Sequence, residues 1–125
     1  MTPDRRYVVL RSASTTVVLT DDDAVPVVVH WGARLPDSSD PGAFDALTDL
    51  PLANGSIDEL APLSLLPERS RGWSAGGGLE THRPDGTAWA ARVTRTSSEH
   101  DVSSFTWTGT DGGAAVVVTV RAALD

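Results

Sequence analysis

Gly72-Trp73-Ser74-Ala75-Gly76 has the G-x-S-x-G spacing of a nucleophile elbow. That motif serves acyl transfer when a strand delivers the serine and a helix follows it. Here ERSR precedes it and GGLETHRP follows, which supplies neither element, so Ser74 reads as a chance match. His30, His82 and His100 stand alone, without H-x-H or H-E-x-x-H spacing, and there is no cysteine, so no metal site is expected. Asp21-Asp22-Asp23 lacks the spacing and the distal glutamate of a calcium loop and reads as a solvated hairpin tip. Asp45, Asp49, Asp58, Glu59 and Glu68 gather carboxylates in one stretch, and glycoside hydrolysis needs two. Nothing in their spacing selects a pair, and acidic loops are ordinarily solvated. Of the four tryptophans, Trp89 and Trp107 sit in alternating patterns and read as core. Trp31 and Trp73 sit at loop junctions, where a core plug and a ligand platform are equally open readings. Asn54-Gly55-Ser56 is a glycosylation sequon, irrelevant without a secretory route.

The whole chain bounds these readings. Its 125 residues suit one domain with one core. Net charge is −7, every basic residue is arginine, and no basic stripe is present, which argues against nucleic-acid and anionic-membrane partners. No apolar run reaches signal-peptide or membrane-span length, so a cytoplasmic protein is expected. The lack of cysteine agrees with a reducing compartment.

The elements that must position the candidate residues are strands. Tyr7–Arg11 and Thr15–Thr20 are Val-rich and β-branched. Val25–Trp31 follows, with Val25, Val27, Val29 and Trp31 expected on one face, Val28 and His30 on the other, and cover on both sides for part of its length. Residues 32–78 change character: five prolines and scattered glycines rule out a long helix. Within them Phe44–Leu50 is expected to form about two helical turns, with Phe44, Leu47 and Leu50 on one side. Ile57–Leu66 is a second helical or 3₁₀ candidate. Phe44, Leu47, Leu50, Leu60, Leu63, Leu65 and Leu66 are expected to anchor this loop. Strands resume at Leu79–Arg83, Thr87–Thr96, Val102–Thr110 and Ala114–Leu124, with turns at Pro84-Asp85-Gly86 and Asp111-Gly112-Gly113. About seven strands, at about 7–31 and 79–124 around a loop at 32–78, give an all-β expectation: an antiparallel β-sandwich with a long irregular loop. Ala114–Leu124 is the most apolar strand, and it is expected to need a neighbour from later strands of a longer domain or from another chain.

Tyr7–Arg11 (YVVLR), Thr15–Leu19, His30–Leu35 (HWGARL), Leu65–Trp73 (LLPERSRGW) and Leu79–Trp89 (LETHRPDGTAW) fall in the order seen in the N-terminal domain of bacterial α-galactosidases of glycoside hydrolase family 36, which this sequence resembles. The resemblance implies the first part of a supersandwich-like β-sandwich that precedes a catalytic (β/α)₈ barrel. In such enzymes the barrel holds two aspartates, a nucleophile and an acid/base, and works with retention. A barrel takes ~250 residues, so this chain is expected to have no catalytic residue of its own and no cofactor.

The partners implied are the parent enzyme's barrel domain, further copies of the chain in an oligomer, and α-galactosides bound through the parent. In relatives the loop after the W-G-x-x-L strand reaches a neighbouring subunit's active site, where an acidic and an aromatic or basic residue touch the outer sugars. By position, Asp45, Asp49 and Trp73 are the substrate-binding candidates. The chain departs from the family at Gly76–Glu80, where a Gly-x-x-Asp-Phe-Arg run is common and GGGLE stands instead. A stand-alone carbohydrate-binding sandwich is the alternative, motivated by four tryptophans in an all-β frame.

Overall fold

A computed structural model of the chain describes residues 5–49, 55, 63–87 and 90–125. The fold is all-β; the described residues form two three-stranded antiparallel sheets, one short α-helix and one 3₁₀ turn. The first sheet has the order β1-β2-β3, from Tyr7–Arg11, Thr15–Thr20 and Val28–Ala33. The second has the order β4-β5-β6, from Thr94–His100, Ser104–Asp111 and Val116–Ala123. Every strand pairs with its neighbour in sequence, so each sheet is a meander closed by short turns.

The turns explain the registers. Ser12 N–H donates to the Thr15 carbonyl at 3.0 Å and closes the β1–β2 hairpin. Asp101 Oδ1 accepts from the N–H groups of Ser103 (2.8 Å) and Ser104 (2.7 Å) between β4 and β5. Asp111 Oδ1 accepts from Gly113 (2.7 Å) and Ala114 (3.0 Å) between β5 and β6, the expected hairpin turn. Both are aspartates capping their own turn backbone.

One core cluster draws on both sheets: Val8 and Leu10 of β1, Val17 and Leu19 of β2, Val25, Val93, and Phe105 and Trp107 of β5. Gly109 faces the same side as Trp107, and a Cβ there would overlap the Trp107 ring and stand 2.7 Å from Val93 Cγ1. The glycine is therefore the space into which the indole fits. The opposite face of the first sheet is covered too. Helix α1, Pro41–Thr48, sets Phe44 edge-on to Tyr7 at 5.5 Å, and Val18 on that side is fully buried.

Several expectations change. The β2–β3 register breaks so that Val18 opposes His30 and Leu19 opposes Val28, leaving Val29 as the extra residue of a bulge. The bulge moves Val28 to the core side and puts Trp31 opposite Val17, so the expected grouping of Val25, Val27, Val29 and Trp31 fails. The helix begins earlier than Phe44 because Asp40 accepts from Gly42 N–H at 3.1 Å and Pro41 takes the first position. Leu79–Arg83 is not a strand, and the strand expected over Thr87–Thr96 starts at Thr94. The described chain thus has six strands, not seven. Leu47, Leu63 and Leu65 are exposed rather than anchoring, while Phe44 is buried and Leu66 packs on the core. Most of the Ile57–Leu66 candidate, with Leu50, Leu60, Asn54, Ser56, Asp58, Glu59 and Trp89, lies outside the described residues; Ser64 within it forms an extended bridge to Val27, not a helical turn.

Candidate functional site

The segment Asp21–Val27 between β2 and β3 is not a solvated tip. Asp21 is 7% exposed. Its carboxylate accepts from Arg95 at 3.1 Å and from Ser98 Oγ at 3.0 Å, both on β4. The Asp22 carbonyl accepts from Trp107 Nε1 at 3.3 Å, and the Asp23 carbonyl accepts from Arg95 N–H at 2.9 Å. Three successive aspartates therefore tie the first sheet to the second, because buried donors on β4 and β5 need acceptors.

Glu68, expected among solvated loop carboxylates, is 2% exposed. Its Oε1 accepts from Val93 N–H at 2.6 Å and its Oε2 from Arg71 Nε at 2.7 Å. Arg71 in turn donates to the Val93 carbonyl at 2.7 Å. The 3₁₀ turn Arg69–Arg71 and the left-handed Gly72 (φ 90) bring Arg71 and Trp73 back beside Glu68.

These two constructions border one groove. Its wide end, about 540 Å³, is lined by Arg5, Arg6, Asp22, Asp23 and Arg95, with Ala24 and Arg71. A narrower and more apolar pocket of about 50 Å³ continues from Ala24 and Arg71 to Val25, Val27, Ser64, Glu68 and Trp73. Trp73 is half-buried and its Nε1–H is held by the Gly76 carbonyl at 3.0 Å, which fixes the indole. Arg5 pairs with Asp49 at 3.1 Å, Arg71 with Glu68, and Arg95 with Asp21 and Asp23. The arginines are thus largely neutralised, and the groove offers fixed donors and acceptors without a net positive field. Arg6 is exposed, and among the described residues its guanidinium has no partner. Such a lining suits hydroxyl groups of a neutral ligand beside an indole face.

The three sequence candidates separate. Trp73 lines the groove. Asp49, at the end of α1, reaches it through Arg5. Asp45 accepts from the Tyr7 hydroxyl at 2.5 Å on the helix side and is not a lining residue. Burial, followed by that bond to a carboxylate, pushes the Tyr7 phenol above its ordinary pKa. Arg71 and Arg95 were not singled out from sequence, and Asp22 and Asp23 were weighed only as part of a calcium loop and read as a solvated tip; the E-R-S-R run before Gly72 was the available signal for Arg71.

The remaining candidates are dispersed. Ser74 is exposed, follows the 3₁₀ turn rather than a strand, and has no histidine bonded to it. His30 and His82 contact the carbonyls of Ala33 and Arg83. Among the described residues no group of three or more His, Cys, Asp or Glu could hold a metal ion. Among the described residues no helix is long and apolar enough to cross a membrane. Trp107 is core, as expected, whereas Trp31 is 76% exposed and is no core plug. No protein-family model, curated protein or solved structure matches the chain.

Proposed function

We propose that the chain is an N-terminal, non-catalytic β-sandwich portion of an α-galactosidase-like glycoside hydrolase, where it aids oligomer assembly and shapes the substrate pocket of the barrel domain. The observation that carries the reading is the position of Trp73 on one groove with Arg71, Asp22 and Asp23. Leu65–Trp73, one of the family-like segments, supplies Glu68, Arg71 and Trp73 to that groove. A stacking surface flanked by neutralised guanidinium and carboxylate groups is the equipment for sugar hydroxyls. Among the described residues each carboxylate of the groove already has a donor: Asp22 accepts from the Arg6 N–H at 3.3 Å, Asp23 pairs with Arg95, and Glu68 holds Val93 and Arg71, which supports a non-catalytic role.

The test is direct. The isolated chain is expected to leave an aryl α-galactoside uncleaved. Cleavage that is lost on changing a residue of this chain overturns the reading. Genomic sequence past the Asp125 codon is expected to encode a (β/α)₈ barrel; a stop codon there also overturns it.

The same groove favours a second reading, a stand-alone carbohydrate-binding module. Calorimetric titration with galactose, melibiose and raffinose separates the two. Saturable heat that Trp73→Ala abolishes supports the module; flat titrations remove it.

A further inference from the structure

Two three-stranded sheets leave four strand edges, and three of them are obstructed. Arg11 N–H on the outer side of β1 donates to the Val102 carbonyl at 2.8 Å. The approach to β3 carries the Val29 bulge, the Val27–Ser64 bridge and a bond from Leu65 N–H to the Pro26 carbonyl at 2.9 Å. β4 breaks register between Arg95 and Ser97, and Arg95 N–H is taken by the Asp23 carbonyl at 2.9 Å. These are the ordinary means by which proteins block edge pairing.

β6 has none of them. It pairs with β5 over eight residues, Val116–Ala123, in unbroken register. It contains no proline or glycine, and Arg121 is its only charge. Among the described residues no other segment bonds its outer side. Leu124 N–H donates to the Ser103 carbonyl at 2.9 Å. Antiparallel alternation then points the backbone groups of Ala122, Val120, Val118 and Val116 toward β5. Those of Val117, Thr119, Arg121 and Ala123 point outward. Val117 is also 69% exposed.

We infer that the β6 edge pairs with β6 of a second copy, antiparallel, about a two-fold axis through Val120. A strand pairing with itself is isologous and closes at a dimer. Outward-facing residues must meet outward-facing residues, so the axis passes through a residue. An axis at Arg121 sets two guanidinium groups directly opposite, which is unfavourable. An axis at Thr119 places Ala123 opposite Ala115, beyond the strand. The axis at Val120 pairs Val117 with Ala123, Val118 with Ala122 and Thr119 with Arg121 of the second copy, uses the full strand, and gives each guanidinium a hydroxyl acceptor. This inference deepens the oligomer-assembly part of the proposed function and rests on it, while the sugar reading fails or holds separately, because flat sugar titrations leave the β6 pairing untouched.

The chain has no cysteine, so introduced thiols report without background. Sedimentation velocity across a concentration series is expected to show a monomer–dimer equilibrium. Under mild oxidation Val120→Cys is expected to trap a covalent dimer, because that position meets itself, and Val118→Cys is not. Thr119→Pro removes an outward N–H without touching the β5 ladder. It is expected to raise the dimer dissociation constant at least about tenfold with far-UV circular dichroism unchanged. A monomer at every concentration, equal trapping at 118 and 120, or a folded Thr119→Pro variant that dimerises as before overturns the inference.

Discussion

Glu68 is the residue on which the irregular loop depends. It presents one oxygen to the Val93 amide and the other to Arg71, from a position almost closed to solvent. Glu68→Ala leaves a buried N–H and a guanidinium without their acceptor, at a cost of about 2–3 kcal/mol. Glu68→Gln, which retains an acceptor for Val93, is expected to lose less. Urea unfolding of the two variants checks the order. Gly109 tests packing instead of polarity: Gly109→Ala pushes a methyl into the Trp107 indole and Val93, and is expected to destabilise by about 1–3 kcal/mol in the same assay. Neither role is visible in the sequence. A glutamate in a Pro-rich acidic stretch has the composition of a solvated one, and only the returning 3₁₀ turn places it against Val93.

At the level of elements, legibility followed how local the cause was. β1 and β2 coincide with the Val-rich runs because β-branched residues between two short turns determine a hairpin without distant help. The β5–β6 hairpin was legible for the same reason, its Asp-Gly-Gly turn lying in the chain itself. The alternation at Ala91 and Val93 was real, since both are buried, yet it did not mark a strand. The N–H groups of Arg92 and Val93 go to the carboxylates of Asp111 and Glu68, so side chains replace a neighbouring strand. The bulge at Val29 was equally invisible, because nothing in VPVVVHW distinguishes the extra valine.

The second sheet's turns carry a pH dependence. The backbone N–H of Ser103 holds Asp101, and that of Ala114 holds Asp111, below the ordinary carboxylate range. A pKa depressed by folding contributes stability above the unfolded value, ~3.9, that is lost as pH falls through the folded one. Carboxyl-carbon NMR titration is expected to place both midpoints below that of a free aspartate. Amide exchange at Ser103, Ser104, Gly113 and Ala114 is expected to lose protection as those carboxyls protonate.

For the whole molecule, the relation between the sheets decides what kind of object the chain is. The groove exists because the Asp21–Val27 segment, the 3₁₀ turn and β4 meet, so Trp73 was legible as a candidate while its neighbours were not. Each sheet is built from contacts between adjacent strands and can form by closing short turns. The bonds that join the sheets are of another kind: Arg95 and Ser98 lie 74 and 77 residues from the aspartate they hold. Contacts of such separation are entropically slow to form, and topology of this sort sets folding speed. The Asp21 joint is therefore expected to be absent from the folding transition state and to close afterwards, as a latch. Arg95→Ala is expected to cost about 2–3 kcal/mol, nearly all of it as faster unfolding, with the refolding limb of the chevron unmoved. A slowed refolding limb would place the latch in the folding nucleus instead. Three consecutive aspartates that look like a hydrated turn would then govern how long the native protein lasts more than how quickly it is made.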